Sequence, residues 1–383
     1  MTDATKPTMK DGLVKRGSTW SYVVRERDPE TGKTKPRWVG GFPTKTAAKQ
    51  ARDKARSDVA RGTYVPPATV TVGAWLDTWL EGHAAQLKPS TVHAYRQKID
   101  SYLKPAIGGD RLQALSPARL SVVFTRMGES GGKNGAALSP RSVQYARSIL
   151  RKACNAAVVN RVLEVNPVTG STAPRVEKAK HVTWTGGQQA QFLTGCEASR
   201  WRPVWALALA TGMRRGELCG LTWDDIDLKA GIVAVERSTT AVNWQLVTTL
   251  PKNHERRKVT IDKQTVKILR AWRKQQAAEK LKWGEAYADG HHVAAWENGE
   301  LAAPDFVGKR FLSDQAGIGL PRMTLHGTRH THATTLLREG VPVHVVAKRL
   351  GHRDPSVTMN VYADAIPDDD TRAVDVFTKA VWG

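Results

Sequence analysis

LHGTRHTHATTLLREG (Leu325–Gly340) and KRLGHRDPSVTMNVY (Lys348–Tyr362) decide how this chain folds. In the first stretch His326 and Arg329 stand three apart, a spacing that puts both side chains on one helical face. The helix runs on through Ala333, Leu336 and Leu337 and stops at Gly340. Pro342 is pre-organised to start the next helix, which Gly351 ends. His352 follows on the turn, and ten residues later comes Tyr362, the only tyrosine after Tyr287.

Working outward, ALALATGMRRGELCGLTW (Ala206–Trp223) reads as a buried apolar helix, a tight turn at Gly212, and an arginine pair. Arg214 and Arg215 compete for the same role, and Glu217, three residues after Arg214, faces it if the segment is helical. GIVAVERSTT (Gly231–Thr240) reads as one strand. WQLVTTL (Trp244–Leu250) and RKVTI (Arg257–Ile261) read as the next two, joined by PKNHER.

These residue types suit phosphodiester chemistry. A phosphodiester repels nucleophiles, and more charge builds on its nonbridging oxygens in the transition state. Arginine answers both problems, because its planar fork donates two parallel bonds to phosphate and stays protonated. Two arginines clamp the oxygens without magnesium, and the chain has no acidic cluster that would demand one. A free phenol titrates at about 10, so a nucleophilic tyrosine needs a proton acceptor and nearby positive charge. His326 and His330, four apart, could share a zinc ion on one helical face, but no Glu stands between them as a zinc protease requires. No metal site is expected. His330 and His332 are read as packing or facing a polyanion.

The net charge of +22 is spread along the chain: +8 in residues 1–65, +7 in 66–170 and +7 in the remainder. A basic balance held in every segment, rather than in a tail, fits a chain that wraps nucleic acid along its length. The longest apolar run, VWALALA (Val204–Ala210), is too short to span a bilayer, and MTDATKPTMKDG carries no hydrophobic signal segment. A soluble protein of the cytoplasm is expected. Three scattered cysteines, Cys154, Cys196 and Cys219, point to buried free thiols rather than to disulfides or zinc.

The chain divides into three. Residues 1–65 form a small α/β unit: Trp20, Tyr22 and Val24 alternate as in a half-buried strand, DPETGK is a turn, and Trp38-Val39 continues into another strand. A helix from about Thr44 puts Ala47, Ala48, Ala51, Ala55 and Val59 on one face and ends at Gly62. VPPATVT is a linker. Residues 66–170 read as an all-helical bundle, with a Val72, Leu76, Trp79, Leu80 stripe and further helices from Pro89, Ser116 and Ser139. Arg96, Lys98, Arg141, Arg147, Arg151 and Lys152 are its phosphate-contact candidates. TGSTAPRVEKAKH (Thr169–His181) is a basic linker, and residues 171–383 form a third, mainly helical domain with a small antiparallel sheet. Its tail ends in Val374, Val376, Phe377, Val381 and Trp382, an apolar set on a charged protein that points to docking.

Taken together, TGMRRGEL, HGTR, LGH and the late Tyr362 resemble the tyrosine recombinase (phage integrase) family. The resemblance implies an arm-type DNA-binding domain, a helical core-binding domain and a catalytic domain. It assigns Arg214, Lys252, His326, Arg329 and His352 to the site, with Lys252 on the hairpin as proton donor, Lys258 as its rival, and Tyr362 as nucleophile. It also implies strand cutting through a 3′-phosphotyrosine without metal, ATP or other cofactor. The expected partners are double-stranded DNA with core and arm sites, three further copies of the chain in a tetramer, a host DNA-bending protein and an excision factor, all in the bacterial host's cytoplasm and nucleoid. The N-terminal unit favours a phage or mobile-element integrase. Three alternatives stand beside it: a chromosome-resolving or inverting recombinase, a non-catalytic DNA-binding regulator of the same fold, and a metal-dependent nuclease built on the histidines.

Overall fold

A computed structural model describes residues 12–27, 33–177, 182–242, 245–250, 256–362 and 370–382. The chain forms two compact units, residues 1–177 and 178–383. Among the described residues no helix is long and apolar enough to cross a membrane.

The first unit opens with an antiparallel sheet, β1 (Leu13–Arg16), β2 (Thr19–Arg27) and β3 (Thr34–Phe42), in that order. The alternation is real: Tyr22 and Val24 are buried against α1 (Lys45–Ala60), together with Leu13, Ala48 and Ala55. The DPETGK turn falls mostly outside the described residues. Thr44 caps α1 by accepting from the Ala47 N–H, which satisfies one of the free donors of the first turn. The buried face runs through Ala48, Arg52, Ala55 and Asp58, but Val59, expected on it, is exposed. By helical pitch position 59 still lies in line with Ala48 and Ala55, but it stands in the last turn of α1, beside the helix end at Ala60.

The bundle follows: α2 (Val72–Ala84), α3 (Pro89–Lys98), α4 (Lys104–Ile107), α5 (Pro117–Ser130) and α6 (Pro140–Val159). The expected stripe of Val72, Leu76, Trp79 and Leu80 is buried with Phe124, Ile149 and Leu150. A π turn over Ile99–Leu103 joins α3 to α4. Pro105 explains it, because a proline inside a helix supplies no N–H to the regular ladder. Ser116 and Ser139, where the sequence places helix starts, cap α5 and α6 with their side chains.

The second unit is mainly helical. α7 (Gly186–Gly195), α8 (Arg202–Thr211) and α9 (Arg215–Gly220) lead into β4 (Ile226–Asp227), β5 (Ile232–Val235), β6 (Ser238–Val242), β7 (Gln245–Thr249) and β8 (Arg257–Thr260). The single strand expected over Gly231–Thr240 is two. β5 pairs with β4 and β8, whereas β6 pairs with β7. The break falls at Glu236-Arg237, where Arg237 turns to donate to the buried Asp225 carboxylate at 2.9 Å. The long α10 (Lys263–Trp283) and α11 (Pro304–Asp314) follow, then α12 (Leu325–Arg338), α13 (Val343–Leu350), α14 (Pro355–Tyr362) and α15 (Asp370–Val381). Trp184, Phe192, Trp205 and Phe311 pack edge to face or tilted at 4.9–6.0 Å and tie α7, α8 and α11 together.

The cysteines are free and buried, as the sequence predicts. Burial pushes their thiols up, to about 12 for Cys154 and Cys219 and about 11 for Cys196.

Candidate active site

α8 ends on Gly212, whose φ of +63° favours glycine. A β-carbon there would lie 2.8 Å from Leu350 Cδ2 and 3.0 Å from His332 Cδ2, so glycine also makes room for α12 and α13. Two residues later Arg214 sits just outside α9, at its N-cap, rather than inside the helix. Glu217 faces it all the same, through capping geometry. Its Oε2 accepts from the Arg214 N–H at 2.9 Å and its Oε1 from Arg214 Nη1 at 2.9 Å.

Glu217 is 1% exposed and has a second partner that sequence reasoning missed. Arg257, the first residue of β8, donates Nη2 to Oε2 at 2.7 Å and Nη1 to Oε1 at 3.2 Å. Burial by itself pushes the Glu217 carboxyl up, but the bonds and charge of Arg257, followed by those of Arg214, outweigh it and hold it below its ordinary value. The carboxylate is therefore ionised. Sequence offered only an arginine pair at the start of a strand, which is a weak signal.

Arg329 is 3% exposed. It donates Nη1 to Gly212 O at 2.9 Å and Nη2 to Leu350 O at 2.7 Å, so it joins the end of α8 to the end of α13. His326, three residues earlier on α12, is exposed, and its ring meets that of His330 edge to face at 5.1 Å. α13 closes on Gly351 at φ +69°, as expected, and His352 follows. Its Nδ1 lies 2.7 Å from the buried Thr358 Oγ1 on α14. Burial, then the charges of Arg329, Arg214 and Arg257, pushes His352 down to about 4, so the ring is neutral at pH 7. Arg214 Nη2 lies 3.4 Å from Gly351 O. Arg214 thus meets Arg329 and His352, both more than a hundred residues further along the sequence, at one helix end.

Tyr362 is the last residue of α14, the helix that carries Thr358. Its side chain lies outside the described part, and Lys252 falls in the undescribed residues 251–255. The rival Lys258 is exposed on β8, and Arg215 is exposed and paired with Asp305 at 3.0 Å. Among the described residues no group of three or more His, Cys, Asp or Glu could hold a metal ion. In the bundle, Arg96 is paired with Asp77, and Lys98 lies over the Tyr102 ring at 4.8 Å. Arg147 donates to Val168 O at 3.0 Å and Ser171 O at 2.8 Å, Lys152 reaches Tyr95 Oη at 2.6 Å, and Arg141 and Arg151 are exposed.

His332 packs beneath the site rather than in it. Its Nδ1 donates to Leu209 O at 2.8 Å, which leaves Nε2 to accept from Arg349 Nε at 2.9 Å. Arg349 Nη2 also donates to Ala210 O and Thr260 O, both at 2.8 Å. Protonating Nε2 would set one donor against another. Burial, then the charges of Arg349 and Arg329, accordingly pushes His332 down to about 4, against the favourable Leu209 bond. The sign follows by linkage: the unfolded imidazole, at about 6.5, binds more protons, so stability is complete above that pH and is lost as pH falls toward 4. For a ring 7% exposed the loss reaches about 3 kcal/mol near pH 4. Thermal unfolding between pH 7 and 4.5 should show a falling Tm, with a shallower fall in His332→Gln. A Tm that holds steady in wild type would contradict this account.

Residues 188–368 match the model of the phage integrase family, 13–58 that of an arm DNA-binding domain, and 71–121 that of the phage integrase N-terminal SAM-like domain. A tyrosine recombinase XerC-like protein of Caldanaerobacter subterraneus is 26% identical over 353 residues, covering 87% of this chain and 89% of the relative. The ICEBs1 integrase of Bacillus subtilis is 22% identical over 352 residues, covering 91% and 93%. Among solved structures, the Tn1549 transposon integrase in complex with a circular intermediate DNA superposes with a TM-score of 0.66 at 20% identity, covering 79% of this chain and 98% of that one, a likeness of fold. With all three parts matched in order along its length, the chain belongs to the phage integrase family of tyrosine recombinases.

Proposed function

We propose that this recombinase is the integrase of a phage or other mobile element, and that Arg214, Arg329 and His352 hold the phosphate it cuts. The observation that carries the site is the convergence of those three side chains on the carbonyl end of α13, one short helix away from Tyr362. The arm DNA-binding match over residues 13–58 favours an integrase over a chromosome-resolving or inverting enzyme. We assign residues 1–65 to arm sites, and residues 66–170 and 171–383 to the two halves of a clamp on the core site.

In this reading the two guanidiniums take the nonbridging oxygens and stabilise the charge that grows there. His352 has its Nδ1 committed to Thr358, so Nε2 is the nitrogen offered to the phosphate. The Tyr362 phenol oxygen attacks phosphorus, and its proton passes to a neighbouring base, for which exposed His326 is the candidate. The bond from phosphorus to the 5′ oxygen breaks, and that oxygen takes its proton from Lys252. A 3′-phosphotyrosine and a free 5′ hydroxyl result. The 5′ hydroxyl of a partner duplex then reverses the step, so the phosphodiester energy is kept and no ATP is consumed. Four copies would hold two duplexes through a four-way junction, with a host bending protein and an excision factor setting direction.

The test is an incubation in EDTA with nicked DNA carrying the sequence that flanks the gene, followed by detection of protein joined to a 3′ end. An adduct is expected. Sequence-dependent binding with no adduct on any flanking site would favour the regulator reading, and DNA cleavage that leaves no adduct and stops in EDTA would favour the nuclease.

Val374 and Phe377 of α15 and Trp382 just after it are 57%, 61% and 79% exposed. This apolar face would dock on a neighbouring copy. Deleting residues 371–383 should impair joining of two duplexes more than binding to one site, as read by gel-shift of single and paired complexes. A truncated chain that recombines as well as the full one would refute that role.

A further inference from the structure

Three consecutive carbonyls end α13, and each accepts from a guanidinium of a different element. Arg349 O takes Arg257 Nε of β8 at 2.9 Å, Leu350 O takes Arg329 Nη2 of α12 at 2.7 Å, and Gly351 O lies 3.4 Å from Arg214 Nη2 beside α9. The last carbonyls of a helix have no partner within it and carry the negative end of its dipole. Such an end is a natural seat for several cations. Two of these arginines are assigned above to the phosphate. The third serves the protein itself: the Arg257 side chain is 7% exposed, and each of its three nitrogens donates a bond inward, to Arg349 O or to an oxygen of Glu217. It also lies flat against the turn, since a β-carbon added to Gly351 would stand 3.1 Å from its Nη1 and 3.2 Å from its Cδ.

We propose that Arg257 is a positioning residue for strand cutting: it fixes Glu217 beneath Arg214 and the Arg349 carbonyl ahead of His352, so both phosphate ligands are set before DNA arrives. The inference rests on the phosphate assignment of Arg214 and His352. The physical requirement is a planar fork with a third donor at its base, which arginine has and lysine lacks. A lysine keeps the positive charge beside Glu217 but reaches one side of the arrangement at a time. Misplacing a reacting group by about 1 Å costs on the order of 100-fold in rate.

The experiment compares wild type, Arg257→Lys and Arg257→Ala as full chains on the same nicked DNA, in EDTA. DNA affinity, single-turnover rate of 3′ adduct formation and its pH profile are measured. Arg257→Lys should bind DNA within about 3-fold of wild type yet form adduct about 100-fold more slowly, the rate cost of a misplaced group. Guanidinium ion added at millimolar concentration should restore part of the rate to Arg257→Ala. Removing the positive charge should also move the acid limb of the rate upward in pH, because Arg257 is one of the charges that keep His352 neutral. If Arg257→Ala does not fold, Arg257→Lys alone carries the comparison. An Arg257→Lys rate equal to wild type, or a rate loss matched by an equal loss of DNA affinity, would overturn the positioning role. Failure of wild type itself to form adduct would instead bring down the phosphate assignment beneath it.

Discussion

Tyr362→Phe binds DNA as wild type does and forms no covalent adduct. The substitution removes one oxygen at the end of α14 and preserves the ring. Removing a nucleophile that acts with its partners as a unit typically lowers the rate by roughly 10⁴-fold or more, which places the variant below detection in a trapping assay. Phosphate binding by Arg214, Arg329 and His352 does not use the phenol, so affinity should change by less than about 3-fold, under 1 kcal/mol. The measurement is gel-shift affinity beside denaturing-gel detection of the protein–DNA adduct. An adduct that survives the change would mean another residue attacks, and the order of elements around α13 and α14 would need a different chemical reading.

Glu217→Ala is expected to have the largest effect on stability of any single change at the site. Glu217 is 1% exposed and neutralises two arginines, one of them Arg257 at 7% exposed. Truncation leaves that buried cation without a counter-charge, a loss of about 3–5 kcal/mol. For a unit of this size that corresponds to a Tm lower by roughly 6–20 °C. Glu217→Gln keeps the shape and part of the hydrogen bonding, so its Tm should fall less while its cleavage rate still drops. Because the folded carboxyl titrates below its ordinary value, its contribution is complete at neutral pH and fades only under strong acid. Calorimetry at pH 7 separates the cases: equal Tm values for wild type and Glu217→Ala would show that the pair of arginines does not depend on this carboxylate.

Much of the fold could be read because its signals are local. Ser116, Ser139 and Thr44 cap the helices expected of them, and the Val72–Leu80 stripe faces a core. The breaks at Gly340 and Gly351 likewise depend on a backbone preference carried by one residue. What could not be read depends on contacts made across the chain. The split at Glu236-Arg237 exists because Arg237 finds Asp225, twelve residues away. The buried face of α1 includes Arg52 and Asp58, which hydropathy assigns to water. At the site, Arg214, Glu217, Arg329 and His352 were visible as motifs, and the structure gathers them. Arg257 and Arg349 were not, because arginines near a strand start or a helix end are common and only their acceptors set them apart. His332 takes the packing role, one of the two its position allows, and its partner Arg349 is invisible from spacing.

The three cysteines have a practical consequence. Each is buried, and burial holds its proton far above neutral pH, so maleimides and iodoacetamides have almost no thiolate to meet. The native chain should therefore serve as a low-background scaffold for thiol labelling. A single reporter thiol set on the exposed face of α15 could therefore carry a fluorophore without removing any natural residue, so that the tail's movement between copies could be followed one complex at a time.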